Sequence, residues 1–311
     1  MTPELNRVAI IGSTGPTGIH LVRELARRGR SVLAVSRRPE TLEKLFGREQ
    51  GVETAAADAL DADAVAGVAK GCDLVVDCVG LPPERMADHP KTARVISGAA
   101  RRAGARCLQV SSYWSFIPHR GEVVNEEHPR EGGHEWFRLR REAEDVMLSA
   151  GAAVVHLPDF FGSHVHTSAV QSALEEAAAG GPVHCLGSSS TPREAAYVPD
   201  AMKIVADLAE RDEAYGTDWA LPGSGPLSAD RLAEIASKHL GRPIKVSAAP
   251  GWLLKILSQV LPMLRQIRPM IPHYTRPVRY DTSKLRGLLG ELQVTPFEQA
   301  IPATLDWIAS K

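Results

Sequence analysis

The stretch RVAIIGSTGPTGIHLVRELARRG, residues 7–29, limits the fold more than any other part of the 311-residue chain. A short β-rich apolar run ends in Gly12, Ser13, Thr14, Gly15, Pro16, Thr17 and Gly18, and apolar residues at helical spacing follow. This reads as strand, glycine turn and helix. The glycines let the backbone turn tightly and approach a pyrophosphate, which rests on the free amides and positive end of the helix. A second strand, SVLAVS, follows Gly29, so the loop sits in the setting that a dinucleotide site requires.

The end of that second strand selects the dinucleotide. An acidic residue there would bond the free ribose hydroxyls of NAD, but the chain has Ser36, Arg37, Arg38 and Pro39. Two guanidinium groups suit a 2′-phosphate, so the expected cofactor is NADP(H); the plainer alternative is two solvated arginines on a loop. Further strands keep the rhythm. VETAAADALD brings Asp58 and Ala59 to the adenine edge, CDLVVDCVG ends at Cys78, Val79 and Gly80, and ARCLQVSS ends at Ser111 and Ser112. Such alternation predicts an α/β fold, a Rossmann doubly wound parallel sheet with a smaller C-terminal substrate-binding lobe.

Composition removes other classes. An apolar content of 44% supports a large core, and a formal net charge of −1 without a basic block argues against nucleic acid. Cys72, Cys78, Cys107 and Cys185 have neither metal-ligand nor disulfide-framework spacing and read as reduced thiols of a cytoplasmic protein. The first residues lack a basic region followed by a long apolar run, and no apolar stretch reaches spanning length, so no membrane insertion is expected. Residues 252–271 read as a helical lid or, less simply, a membrane-surface helix.

Six segments, in order, resemble the extended or atypical short-chain dehydrogenase/reductases, the class that includes sugar-nucleotide epimerases and dehydratases. GSTGPTG is similar to the family's glycine motif, ADALD to its Gly-Asp-Leu-x-Asp segment and LQVSS to its active-site strand. LPDFFG resembles the strand end that faces the nicotinamide, which implies cofactor contact for Pro158 and Phe160. REAAYVPDAMKIV and YDTSKLRGLLG resemble two C-terminal motifs. The resemblance implies a nucleotide domain of residues 1–158 plus 194–222 and a substrate lobe of 159–193 plus 223–311. It also implies a homodimer through helices near 91–103 and 134–149.

The chain departs from the family where the chemistry is done. Trp136, Arg140 and Glu144 hold the spacing of the family's Tyr-x-x-x-Lys pair and the glutamate after it. Arginine can hold ribose hydroxyls, but indole donates a hydrogen bond and cycles no proton. Tyr113 stands where an assisting serine or threonine is usual, beside Ser111 and Ser112. It reads either as a relocated acid, with Arg140 or Lys91 lowering its pKa, or as an aromatic wall. Trp114, Trp136 and Phe161 suggest an apolar or aromatic substrate; Phe116 and Phe137 read as core. His164 and His166 are candidates for substrate contact, with packing as the alternative, and no third ligand argues for a metal. Arg193 matches an arginine that approaches the substrate diphosphate in sugar-nucleotide members. The leading expectation is an NADPH-dependent reductase acting on a carbonyl or related unsaturated bond of a small apolar metabolite. An epimerase, dehydratase or lyase without net redox change, or a non-catalytic NADP(H)-binding sensor, are the alternatives.

Overall fold

Strands of three to seven residues, bounded by glycine or polar turns, build the central sheet in the computed structural model, which describes residues 5–166, 168–250, 259 and 268–311. Its strands are β1 (Arg7–Ile11), β2 (Ser31–Ser36), β3 (Val52–Ala56), β4 (Leu74–Asp77), β5 (Arg106–Ser112), β7 (Ala153–Leu157) and β11 (Asp218–Ala220). They lie in the order β11-β7-β5-β4-β1-β2-β3, all neighbours parallel. Strand order reverses at β1, so the crevice between β1 and β4 opens at their carboxyl ends, where a doubly wound sheet takes its ligand.

Both faces of the sheet are covered, which is why its inner strands β1, β2, β4 and β7 are apolar on both sides, whereas the edge strand β3 is largely exposed. One face packs against helices α1 (Pro16–Arg27) and α7 (Val198–Ala209), the other against α3 (Ala62–Ala69), α4 (His89–Ala103) and α5 (Glu135–Ser149). Cys72, Cys78 and Cys107 are buried free thiols and Cys185 is partly buried. Among the described residues no helix is long and apolar enough to cross a membrane. Most of the stretch 252–271 lies outside the described residues.

A second apolar core joins Phe161, Leu174, Val183, Leu227, Leu232, Ile235, Phe297 and Ile301. It draws on β8 (Asp159–Phe161), α6 (Ala169–Ala178), β9 (Val183–Leu186), β10 (Arg193–Tyr197), α8 (Ala229–Leu240) and the last helix, Phe297–Ala309. The helix Ser283–Leu289 departs from the expected division: Leu285 is buried in the core of the large sheet, not in that of the smaller lobe. A short ladder of β6 (Val123–Val124) with β14 (Arg279–Tyr280) ties the C-terminal segment to the chain that follows β5.

Candidate active site

The glycine loop is shaped by contacts that no larger residue would allow. Gly12 has φ +86°, and a Cβ there would stand 2.6 Å from the Cys78 carbonyl oxygen. A Cβ on Gly18 would stand 2.4 Å from the Gly12 carbonyl oxygen. The first turn of α1 is thereby drawn under the ends of β1 and β4. Gly15 caps α1 without a side-chain acceptor and Pro16 occupies its first turn, so the amides there are left for an anion. Ser13 Oγ donates to the Val35 carbonyl, and the hydroxyls of Thr14 and Ser36 lie 3.0 Å apart, which fixes the loop against β2. Beyond Ser36, Arg37 and Arg38 are exposed and have no side-chain partner among the described residues.

The other cofactor candidates line the same edge. The exposed Asp58 accepts from the Leu60 amide at 3.0 Å, with Ala59 buried beside it. Buried Asp77 accepts from the Val79 amide and from Gln109 Nε2, both at 2.9 Å, and its burial raises its pKa. Cys78 is buried, and a Cβ on Gly80 would meet nothing within 4 Å. Pro158 is buried between β7 and β8, while Phe160 is half-buried against the large core. The close-packed loop, the uncapped helix start and the open Gly80 fit a nicotinamide dinucleotide.

Arg140 does not reach Tyr113. Its Nη2 and Nη1 lie 3.2 and 3.5 Å from the two ring nitrogens of His89, while Nε has no partner among the described residues. Burial and this guanidinium push the His89 pKa down to about 2. The cation that lowers the Tyr113 pKa is Arg193, against a larger rise from burial and a further rise from Asp159. Lys91 pairs with Asp88 at 2.9 Å on the surface. The expectation that Arg140 or Lys91 tunes Tyr113 is therefore corrected: the charges that act on the phenol are those of Asp159 and Arg193, while Arg140 and Lys91 are engaged with His89 and Asp88.

The two serines are also structural in their contacts. Ser111 Oγ donates to the fully buried Glu144, whose other oxygen accepts from Arg130 Nη2 at 2.7 Å. Ser112 Oγ accepts from the Trp114 amide at 3.5 Å and caps the turn that carries Tyr113. Behind them His156, fully buried, lies 3.0 Å from Asp218 through Nε2 and 3.4 Å from Ser115 Oγ through Nδ1.

Tyr113 is 3% exposed and sits in a cluster that sequence did not disclose. Its ring stacks on His273, with centroids 4.6 Å apart, and its hydroxyl lies 3.2 Å from that of Tyr274. Tyr280 belongs to the same cluster and its hydroxyl is buried without a partner among the described residues. Asp159, also buried, has its pKa raised from 3.8 to about 6, by burial against the opposing pull of Arg193. Three of the chain's five tyrosines thus meet here, although Tyr113 and Tyr274 are 161 positions apart.

The substrate candidates separate into groups. Trp114 and Trp136 stack with centroids 6.0 Å apart, both half-buried, with Phe137 edge-on to Trp114. Phe161 is not a pocket residue: it is fully buried between Tyr197 and Phe297 in the smaller core. His164, at φ +64°, and His166 pack against Trp307, and His164 Nε2 lies 3.4 Å from Arg23. They are held on the α1 side and are not brought to Tyr113. Arg193 is turned inward, onto the carbonyls of His273 and Arg276. No group of three or more metal-binding side chains occurs among the described residues. A cavity of about 360 Å³ beside Arg101, Arg106 and Tyr215 opens at the amino ends of the strands, the wrong end of the sheet for the glycine loop.

Residues 12–155 match the family model described as NAD(P)H-binding. Over 162 residues the chain is 36% identical to a ceramide reductase of Caulobacter vibrioides, a match covering 50% of this chain and 46% of that relative. The match therefore spans less than half the relative's length. An epimerase of Methanothermobacter thermautotrophicus superposes with a TM-score of 0.82 at 18% identity, over 98% of this chain and 92% of the other. UDP-glucuronic acid 4-epimerase of Bacillus cereus, solved in complex with NAD, gives 0.79 at 12% identity, over 98% and 99%. At these identities the structural likeness establishes the fold.

Proposed function

We propose that this chain, which carries an NAD(P)H-binding domain in the fold of the epimerase- and dehydratase-type extended short-chain dehydrogenase/reductases, is an enzyme that reduces a carbonyl or related unsaturated bond of a small apolar metabolite with NADPH. The observation that carries the substrate class is the inward turn of Arg193. Its Nη1 donates to the carbonyls of His273 and Arg276, and its Nη2 to the His273 ring. A guanidinium spent on protein acceptors leaves no fork for a substrate diphosphate. The half-buried Trp114 and Trp136 offer an apolar wall instead. The relative named ceramide reductase favours reduction as the reaction type.

In this reading the glycine loop and the start of α1 hold the pyrophosphate, Arg37 and Arg38 take the 2′-phosphate, and Arg140 takes ribose hydroxyls. The bound dinucleotide supplies the hydride. Tyr113 holds a proton at Oη and gives it to the substrate oxygen, while Trp114 and Trp136 exclude water. Ser111, through Glu144, and Ser112, by capping the turn, position Tyr113 and do not touch substrate. The partner is a second copy, paired through α4 and α5, whose Arg94 and Arg138 already meet Glu142. Light scattering that found a monomer at micromolar concentration would remove the dimer.

Loss of NADPH absorbance on adding long-chain aliphatic ketones tests the reduction. The named epimerase neighbours favour a second reading, in which the dinucleotide is oxidised and restored within one cycle. Substrate conversion with no net loss of NADPH would decide for it. Tight NADPH binding with no conversion at all would favour a sensor.

A further inference from the structure

The segment Arg268–Tyr280 lies across Tyr113. It consists of a three-residue 3₁₀ turn, a four-residue helix (Ile271–Tyr274), the four connecting residues 275–278 and the two residues of β14, pieces too short to be stable alone. Met270, Val278 and Tyr280 close the apolar cluster around the phenol, and His273 and Tyr274 cover its ring and hydroxyl. The order of the segment therefore depends on how it is fastened to the body.

One side chain from β10 makes much of that fastening. Arg193 Nη1 donates to the carbonyls of His273 and Arg276, the second at 3.2 Å, and its Nη2 donates to His273 Nε2. The guanidinium carbon also stands 4.8 Å from the Tyr274 ring centroid. Because Nε2 of His273 accepts, its proton is on Nδ1, which faces Nδ1 of His119 at 3.2 Å. His119 must accept there and carry its own proton on Nε2, a buried atom with no partner among the described residues. A single guanidinium thus sets the helix end, the tautomers of two histidines and the place of Tyr274 against Tyr113.

We propose that Arg193 is a positioning residue that latches Arg268–Tyr280 over Tyr113, and that substrate reaches the phenol when this latch releases. The functional half rests on Tyr113 being the proton donor; the latch itself does not. Two readouts on the whole chain need no substrate: hydrogen exchange of amides 270–280, and nitration of Tyr113 by tetranitromethane mapped by mass spectrometry. Arg193→Ala should speed exchange there by about tenfold or more and expose Tyr113 to nitration. Millimolar guanidinium ion should restore protection, because it refills the planar fork, whereas Arg193→Lys, with a point charge, should stay open. Tyr274→Phe removes one hydroxyl contact and should leave exchange within about twofold of the parent. Unchanged exchange and nitration in Arg193→Ala would overturn the latch, as would loosening that guanidinium fails to reverse. If the latch behaves as stated while Tyr113→Phe keeps full turnover of NADPH, the latch stands and the proton-donor reading falls.

Discussion

Arg140 holds its guanidinium against the ring of His89, with Nη2 3.2 Å from Nε2, and contributes no charge to Tyr113. It also interacts through its charge with Asp77 at the end of β4, which is consistent with the ribose role proposed for it. Arg140→Ala should weaken NADPH binding by about tenfold, or 1.4 kcal/mol, and lower turnover with it. Fluorescence titration gives the affinity. An unchanged Kd would remove Arg140 from the ribose.

Tyr113→Phe keeps the ring stacked on His273 and removes only the hydroxyl that faces Tyr274. NADPH affinity should persist while kcat falls by roughly 10²- to 10⁴-fold, the range of a lost general acid. Trp136→Phe changes a stacked wall and should be much milder. Equal, small losses in both variants would make Tyr113 a wall residue too.

The exposed pair Arg37 and Arg38 should make NADPH bind at least about tenfold more tightly than NADH, a difference of about 1.4 kcal/mol. Replacing both by alanine should erase the preference without weakening NADH. Parallel titrations of parent and double variant measure it, and an intact preference in the double variant would exclude the pair.

Asp159 predicts a pH dependence of stability. Its pKa is raised from 3.8 to about 6 in the folded protein, so the proton is bound more tightly folded than unfolded. The stability this gives is complete below the unfolded value and is lost as pH rises through the folded one. Asp159→Asn removes the titration. Relative to the parent, the variant should gain up to roughly 3 kcal/mol between about pH 4 and about pH 7. Urea midpoints across that range would read the gain, and a constant difference would show that the Asp159 pKa is the same in the folded and unfolded states.

What could be read from the sequence follows from the range of the interactions. The glycine loop, its strand and its helix are contiguous, and the reason for Gly12 and Gly18 is steric crowding within one turn or across one neighbouring strand. Arg37 and Arg38 follow directly on β2. Tyr113 could be singled out by its place after Ser112, but its neighbours could not, because His273, Tyr274 and Tyr280 arrive from a distant segment. For Arg193 the family pattern suggested an outward role; the acceptors on His273 and Arg276, which no spacing discloses, turn it inward. His164 and Phe161 share one short segment after β7, yet one packs by α1 and the other fills the smaller core.

The helix Ser283–Leu289 buries Leu285 in the large core, and Lys284 Nζ bonds Thr217 Oγ1 and the Asp218 carbonyl at 2.6 and 2.7 Å. This helix is thus stitched to the outermost strand of the sheet, while the last helix returns to the smaller core. For protein engineering this means that a crossover placed near residue 222 would separate Leu285 and Lys284 from the surface they complete. A chimera that imports a new substrate lobe should retain the native 283–292 segment as a graft onto the recipient's sheet, or both parents' halves will carry mismatched seams.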